Sequence, residues 1–325
     1  MVVIPDSYST SGSAKIQRVY ISPSSDFGTP SEAMSRNLRL FNESLSNTGF
    51  VIIHLDHDPS DIRTAASNFF EASESDKMRY NFGSYGNPKG GYTPVGVEDV
   101  GSTSGSETGK DWVENYVFRV HPDNDAADTN HPKELVEAGR VYFEQMEALL
   151  KVLLKMAAAS FDLEEDYFNK QFWPGPNGNA LRLAHYPPQS TSSSTISSSS
   201  IRYGAHTDYQ AFTILSPDPT DDLDGYGGLE VMVGEEWVKV KSEGGLVVNA
   251  GDLWVDWTGG RWKSGLHRVV NPSSEEAMGK SRLSVPFFSG PRPETLVFDV
   301  LGGQGEGGGV MAGEHLRRKL ERSNL

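Results

Sequence analysis

Two short patterns in the second half of the chain combine residue types that hold metal ions. In YGAHTDYQAFTIL, His206 and Asp208 stand two residues apart in strand-like sequence. Residues at that spacing share one face of a strand. An imidazole beside a carboxylate offers a nitrogen and an oxygen donor to a divalent ion. A third donor, His267, enters a Val-rich run in SGLHRVVNP, 61 residues after His206. Another 15 residues on, SRLSVPFF sets Arg282 and Ser284 at the same i, i+2 spacing. A guanidinium fork with a hydroxyl beside it matches a carboxylate. Each pattern alone is commonplace, since a strand histidine is more often structural and a lone arginine usually marks an exposed edge. Their order and spacing together argue for a metal centre with an anion-binding arm.

The 325 residues contain no cysteine. That excludes disulfides, thiolate nucleophiles, Cys-ligated zinc and Cys-bound iron–sulfur clusters. A metal must be held by nitrogen and oxygen, and the nitrogen candidates are His54, His57, His121, His131, His185, His206, His267 and His315. Two histidines and one carboxylate that leave positions open are the ligand style of non-haem Fe(II) oxygenases.

The elements that must position these residues fall into two halves. Thr29-Pro30-Ser31-Glu32 offers an N-cap, a helix-starting proline and a capping-box Glu. Met34, Leu38, Phe41 and Leu45 then recur at helical spacing until Gly49, and Phe50–Ile53 follows as a short strand. Ser60 is expected to cap a second helix carrying Ile62, Ala66, Phe69 and Phe70, and a long third helix starts near Pro132. Residues 81–109 read as a long loop. Beyond them, Leu229–Val233, Trp237–Val240 and Leu246–Asn249 are short, β-branched runs typical of a sandwich or barrel. The Ser-rich stretch 189–200 and the Gly-rich stretch 302–309 read as inserts, and 312–322 as a basic helix. The expected organisation is one catalytic domain over 1–325. It has a helical layer with the first strands at 1–175, a β core at 176–300 and a C-terminal helix within 310–325.

On these residues the chain resembles the Fe(II)/2-oxoglutarate-dependent oxygenases, specifically the isopenicillin-N-synthase-like group, over roughly residues 36–290. LRLAHYPPQ is similar to that family's strand ending in Tyr-Pro, which implies that Tyr186 contacts the co-substrate; the Asn often found two residues earlier is Ala184 here. GGYTPVGVE and DWVENYVFRVHP resemble segments bordering the substrate, and TGGRWKSGLHRVVNP the approach to the second histidine. The resemblance implies an α+β, mainly β fold, a double-stranded β-helix (jelly roll) with N-terminal helices behind it. It implies Fe(II) on His206, Asp208 and His267, with 2-oxoglutarate as co-substrate, its far carboxylate on Arg282, Ser284 and Tyr186, and O2 as oxidant. Tyr92, Tyr116, Arg119 and Phe288 are the expected substrate contacts. A substrate carboxylate would call for a cation such as Arg119, Arg202 or Lys89.

The implied reaction is oxidation of an unactivated C–H bond of a small molecule by hydroxylation, desaturation or oxidative cyclisation in specialised metabolism, kainoid-type cyclisation included. Three readings stay open beside it: an oxidase that does without 2-oxoglutarate, a zinc hydrolase on the same ligands, and a non-catalytic sensor. With 29 Lys+Arg against 44 Asp+Glu, the net charge of −15 argues against nucleic acid and anionic membranes as partners. No secretory signal or membrane-spanning run is seen, which gives a cytoplasmic expectation with a transit peptide left open. A monomer is expected.

Overall fold

The computed structural model describes residues 15–21, 32–81, 90–101, 110–118, 132–189, 201–302 and 308–322. Three helices form a layer behind the sheets. Helix α1 (Glu32–Asn47) buries Phe41, Ser44 and Leu45. It stops before Gly49, whose φ of 76° suits glycine and where a Cβ would come within 2.5 Å of the Lys263 carbonyl oxygen. Helix α2 (Ser60–Glu71) buries Ile62, Ala66, Phe69 and Phe70. Its expected cap is corrected. Ser60 lies inside the helix, and its own N–H is taken by the Asp58 carboxylate at 2.9 Å. After the short α3 (Glu74–Lys77), the 28-residue α4 (Lys133–Ser160) turns Leu135, Tyr142, Met146, Leu150, Leu153 and Leu154 inward. The anticipated cap at 29–31 lies outside the described residues.

The strands make two facing sheets. The larger has eight strands in the order β1 (Gln17–Tyr20), β2 (Phe50–His54), β10 (Leu246–Ala250), β7 (Phe212–Ser216), β12 (Arg282–Phe288), β5 (Ala180–Tyr186), β4 (Glu114–Phe118) and β3 (Gly91–Thr93). All its pairings are antiparallel except β1 with β2. The smaller runs β6 (Ile201–His206), β11 (His267–Val270), β8 (Gly228–Val233), β9 (Glu236–Lys239). This is the expected jelly roll. One expectation is corrected here: residues 81–109 are not loop throughout, since 91–93 form β3 at the sheet edge.

Strand alternation divides the work between the two faces of the large sheet. On β12, Leu283, Val285 and Phe287 join the helix-side core, while Arg282, Ser284, Pro286 and Phe288 line a cavity between the sheets. On β5, Leu181 and Leu183 go to the core and Arg182, Ala184 and Tyr186 to the cavity. Burying one apolar face against α1, α2 and α4 thus fixes where every polar residue on the other face points. A hairpin of β13 (Leu296–Val297) and β14 (Val310–Met311) leads into a late helix, preceded in the chain by the short α5 (Asn169–Phe172), α6 (Asp252–Trp257) and α7 (Glu275–Met278). That late helix, α8 (Ala312–Arg322), sends Leu316 and Leu320 into the cavity. Among the described residues no helix is long and apolar enough to cross a membrane.

Candidate metal centre and active site

His206 ends β6 and His267 opens β11, and the two are directly paired across the ladder. Their rings lie 4.2 Å apart. Asp208 is not on the strand, as the i, i+2 reading supposed. β6 stops at His206, and Asp208 sits in the turn that follows. That turn is pinned by α6, whose Asp252 N–H donates to the Asp208 carbonyl at 2.8 Å and whose Leu253 N–H donates to that of Gln210 at 3.2 Å. The result still converges. Asp208 Oδ1 is 3.7 Å from His206 Nε2 and 3.8 Å from His267 Nε2, and one donor atom from each of the three lies within 4.8 Å of the others.

The remaining atoms of the three side chains are already occupied. His206 Nδ1–H donates to the Gly204 carbonyl and His267 Nδ1–H to that of Gly265, both at 2.9 Å. This fixes the tautomer that leaves each Nε2 lone pair open. Asp208 Oδ2 accepts from Thr213 Oγ1 at 2.5 Å and from Asn249 Nδ2 at 2.7 Å, which leaves Oδ1 on the side of the imidazoles. Burial, with the charge of His267 adding to it, holds His206 far below its ordinary value and so neutral. Burial pushes Asp208 upward, but the facing imidazoles and the bonds from Asn249 and Thr213 outweigh it, so the carboxyl is lowered and stays ionised. Two imidazole Nε2 atoms and one carboxylate oxygen are a donor set that fits a divalent first-row ion.

The cavity beside this centre has a volume of about 350 Å³. At one end stands Arg282, 3% exposed, whose Nη1 is 3.3 Å from Ser284 Oγ and whose Cζ is 4.8 Å from the Tyr186 ring centroid. Arg282 is directly paired with Tyr186 across the ladder, as Ser284 is with Ala184. Asp221 holds Arg282 from behind, Nε to Oδ1 at 2.8 Å and Nη2 to Oδ2 at 2.7 Å. Burial alone would lower Arg282, and Asp221 more than reverses it. The rest of the wall is mostly apolar, including Val117, Leu215, Phe288, Leu316 and Leu320. Its polar interruptions include Arg182, whose Nη2 pairs with Glu98 at 2.8 Å and whose Nη1 donates to the Tyr203 hydroxyl at 3.2 Å.

A family model for the 2OG-Fe(II) oxygenase superfamily matches residues 177–291, the stretch carrying all three metal-site residues and both Arg282 and Ser284. The 2-oxoglutarate-Fe(II) type oxidoreductase ppzD of Metarhizium rileyi is 30% identical over 250 residues, 70% of this chain and 67% of that protein. The chain belongs to the 2OG-Fe(II) oxygenase superfamily. The 2-oxoglutarate-Fe(II) type oxidoreductase hxnY of Emericella nidulans is 29% identical over 82% of this chain and 78% of that protein. In fold, the chain matches a full-length Neurospora crassa protein crystallised in complex with alpha-KG and thymine. The TM-score is 0.75, with 22% identity over 95% of this chain and 96% of that one. The chain is thus a 2-oxoglutarate-dependent dioxygenase that uses Fe(II) and 2-oxoglutarate.

Within this oxygenase the expected substrate contacts separate. Phe288 lines the cavity. Tyr92 and Tyr116 do not, because both stand on the helix side of the large sheet. Tyr92 donates to Glu114 Oε2 at 2.6 Å, and Tyr116 packs its ring edge-on against Phe69 in the core, 5.1 Å between centroids. Arg119, Lys89, His121 and His131 lie outside the described residues. His185 faces away from Tyr186, bonded to Glu114 at 2.8 Å and stacked on Phe70. His54 ends β2, stacked on Tyr20, and His57 sits half-buried in the loop between β2 and α2, packed against Tyr142. His315 sits on α8 beside Asp252 and Asp256, where burial lowers it. Sequence reasoning missed Arg182, Glu98, Thr213, Asn249, Asp221, Leu316 and Leu320.

Proposed function

We propose that His206, Asp208 and His267 hold the ferrous ion and that Arg282, Ser284 and Tyr186 receive the far carboxylate of 2-oxoglutarate. The substrate is a small, largely apolar molecule whose unactivated C–H bond is oxidised by hydroxylation, desaturation or ring closure in specialised metabolism. The observation that carries this is the convergence of three open donor atoms beside a mostly apolar cavity with a buried guanidinium at its end.

Ferrous iron bound there supplies the redox chemistry that couples O2 reduction to oxidative decarboxylation of 2-oxoglutarate into succinate and CO2. The chain's own residues do the rest. The Gly204 and Gly265 carbonyls aim the imidazoles, and Thr213 and Asn249 hold the carboxylate to one side. Arg282 and Ser284, on one strand face, fix the distance from the metal centre to the co-substrate tail. Phe288, Leu215, Leu316 and Leu320 exclude water from the substrate end. Kainoid-type cyclisation of an amino-acid-like precursor would need cations for several carboxylates. Arg282 is given to the co-substrate and Arg182 is already paired with Glu98, which favours a neutral substrate. The substrate panel therefore runs from apolar terpenoid-like molecules to neutral heterocycles, thymine among them because the similar Neurospora protein was crystallised with it.

The test is succinate release from anaerobically Fe(II)-loaded protein given 2-oxoglutarate and then O2. Turnover should be slow without substrate and accelerated by the right one, and His206→Ala should abolish it. Full turnover in His206→Ala, or turnover independent of 2-oxoglutarate, would overturn the assignment.

A further inference from the structure

A second guanidinium lies beside the carboxylate-binding strand. Arg202, on β6, is 1% exposed, yet its Nε and Nη2 have no hydrogen-bond partner among the described residues. Its Cζ is 6.0 Å from the Tyr186 ring centroid, the ring that Arg282 also approaches. The carboxylates that act on Arg202 are Asp221 and Asp218, and both are engaged elsewhere. Asp221 forms the bidentate pair with Arg282. Asp218 accepts from the Leu283 N–H at 2.8 Å and from the Thr220 N–H and hydroxyl. Burial, and then the charge of Arg282, bring Arg202 down to about 10, which leaves it charged at neutral pH. A buried cation without its own anion is strongly destabilising, and with Arg63 of α2 also acting on Asp218 and Asp221, three guanidinium groups share two carboxylates, so this end of the molecule is one negative charge short. Asp221 also closes one edge of the Arg282 fork, so Arg282 offers an incoming carboxylate only part of its donor set.

We infer that Arg202 supplies a second positive charge for the far carboxylate of 2-oxoglutarate, acting with Arg282 beside the shared Tyr186 ring. The inference rests on the assignment of Arg282, Ser284 and Tyr186 to that carboxylate. Arg202 is then a positioning residue. It decides how strongly the site prefers a 2-oxo acid with a charged tail over one without.

The test is calorimetric titration of the Zn(II)-loaded full chain, in which no turnover occurs, with 2-oxoglutarate and with 2-oxopentanoate, which carries a methyl in place of the far carboxylate. Arg202→Gln should weaken 2-oxoglutarate about ten- to a hundredfold and leave 2-oxopentanoate unchanged. Arg202→Lys should restore most of the difference. Retained binding of 2-oxopentanoate also reports that the variant is folded. If Arg202→Gln weakens both ligands alike, or neither, the inference is wrong. Arg282→Gln separates this from the underlying assignment. Loss of discrimination in Arg282→Gln but not in Arg202→Gln overturns only the role of Arg202. Full discrimination in both overturns the carboxylate site itself.

Discussion

Removing the Asn249 side chain tests whether the metal centre depends on groups that never touch the metal. Asn249 is 3% exposed on β10, and its Nδ2 donates at 2.7 Å to the Asp208 oxygen turned away from the imidazoles. In Asn249→Ala, Thr213 remains as the sole donor to that oxygen among the described residues, and the carboxylate is held less firmly. A hydrogen bond to a charged group contributes about 1.5–3 kcal/mol, equivalent to about a 10- to 150-fold change in a dissociation constant. Loss of an outer partner of a ligand typically weakens metal binding about 10- to 100-fold, and the two ranges overlap. The assay is anaerobic competition for Fe(II) against a chelator of known affinity. Thr213→Val should have an effect of the same order. Because both donors serve one oxygen, the double variant should depart from the sum of the singles. Unchanged Fe(II) affinity in both single variants, with the fold intact by circular dichroism, would refute the reasoning that Oδ2 anchors Asp208.

Three further outcomes are expected. Glu114 is 3% exposed and ties Lys77, Tyr92 and His185 together on the helix side of the sheet. Glu114→Gln leaves the Lys77 ammonium buried without its counter-charge, so stability in urea should fall by about 3–5 kcal/mol while Fe(II) affinity stays as in the parent. Leu316→Trp, on α8, fills the substrate end of the cavity. It should abolish substrate-accelerated succinate release while 2-oxoglutarate affinity is kept, and a parallel loss of co-substrate binding would contradict this. Burial raises Asp111 from 3.8 to about 6, against the bonds it accepts from the Val100 and Gly204 N–H groups. A raised carboxyl keeps its proton longer in the folded state. The contribution of Asp111 to stability therefore falls as pH rises from about 4 to about 6 and is constant above. The stability difference between the parent and Asp111→Asn should shrink over that window; a difference that is flat or grows with pH would show that Asp111 is not raised.

The parts of this molecule that could be read in advance are those where one side chain's type fixes its surroundings. His206, His267, Arg282 and Ser284 stand at strand positions whose apolar neighbours announce the pleat, so alternation alone puts them on the cavity face. Asp208 was found for a reason that does not hold. It reaches the imidazoles because Asp252 of α6, far along the chain, donates to its carbonyl, and no local pattern encodes that bond. Tyr92 and Tyr116 failed for a related reason. Alternation is relative, and which face of β3 and β4 looks toward the helices depends on Phe69 and Phe70 of α2. Asn249 left a visible signal, a lone polar residue in the apolar run LVVNA. Asp221 and Glu98 left none, since each is one acid among many in loop-like sequence and is defined only by the arginine it meets. Leu316 and Leu320 look like the apolar stripe of any surface helix until the fold lays that stripe over the cavity.

The carbonyls of Gly204 and Gly265 have a consequence for how the protein acquires its metal. They orient both imidazoles whichever divalent ion binds, so this backbone geometry by itself does not select among ions. Nitrogen and oxygen donors intrinsically rank Fe(II) below Co(II), Ni(II) and Cu(II). Which ion the protein carries is thus decided by supply and exchange in its surroundings. Preparations from nickel-affinity columns or zinc-rich media are expected to be inactive by substitution rather than by damage, and recoverable by chelation followed by anaerobic reloading.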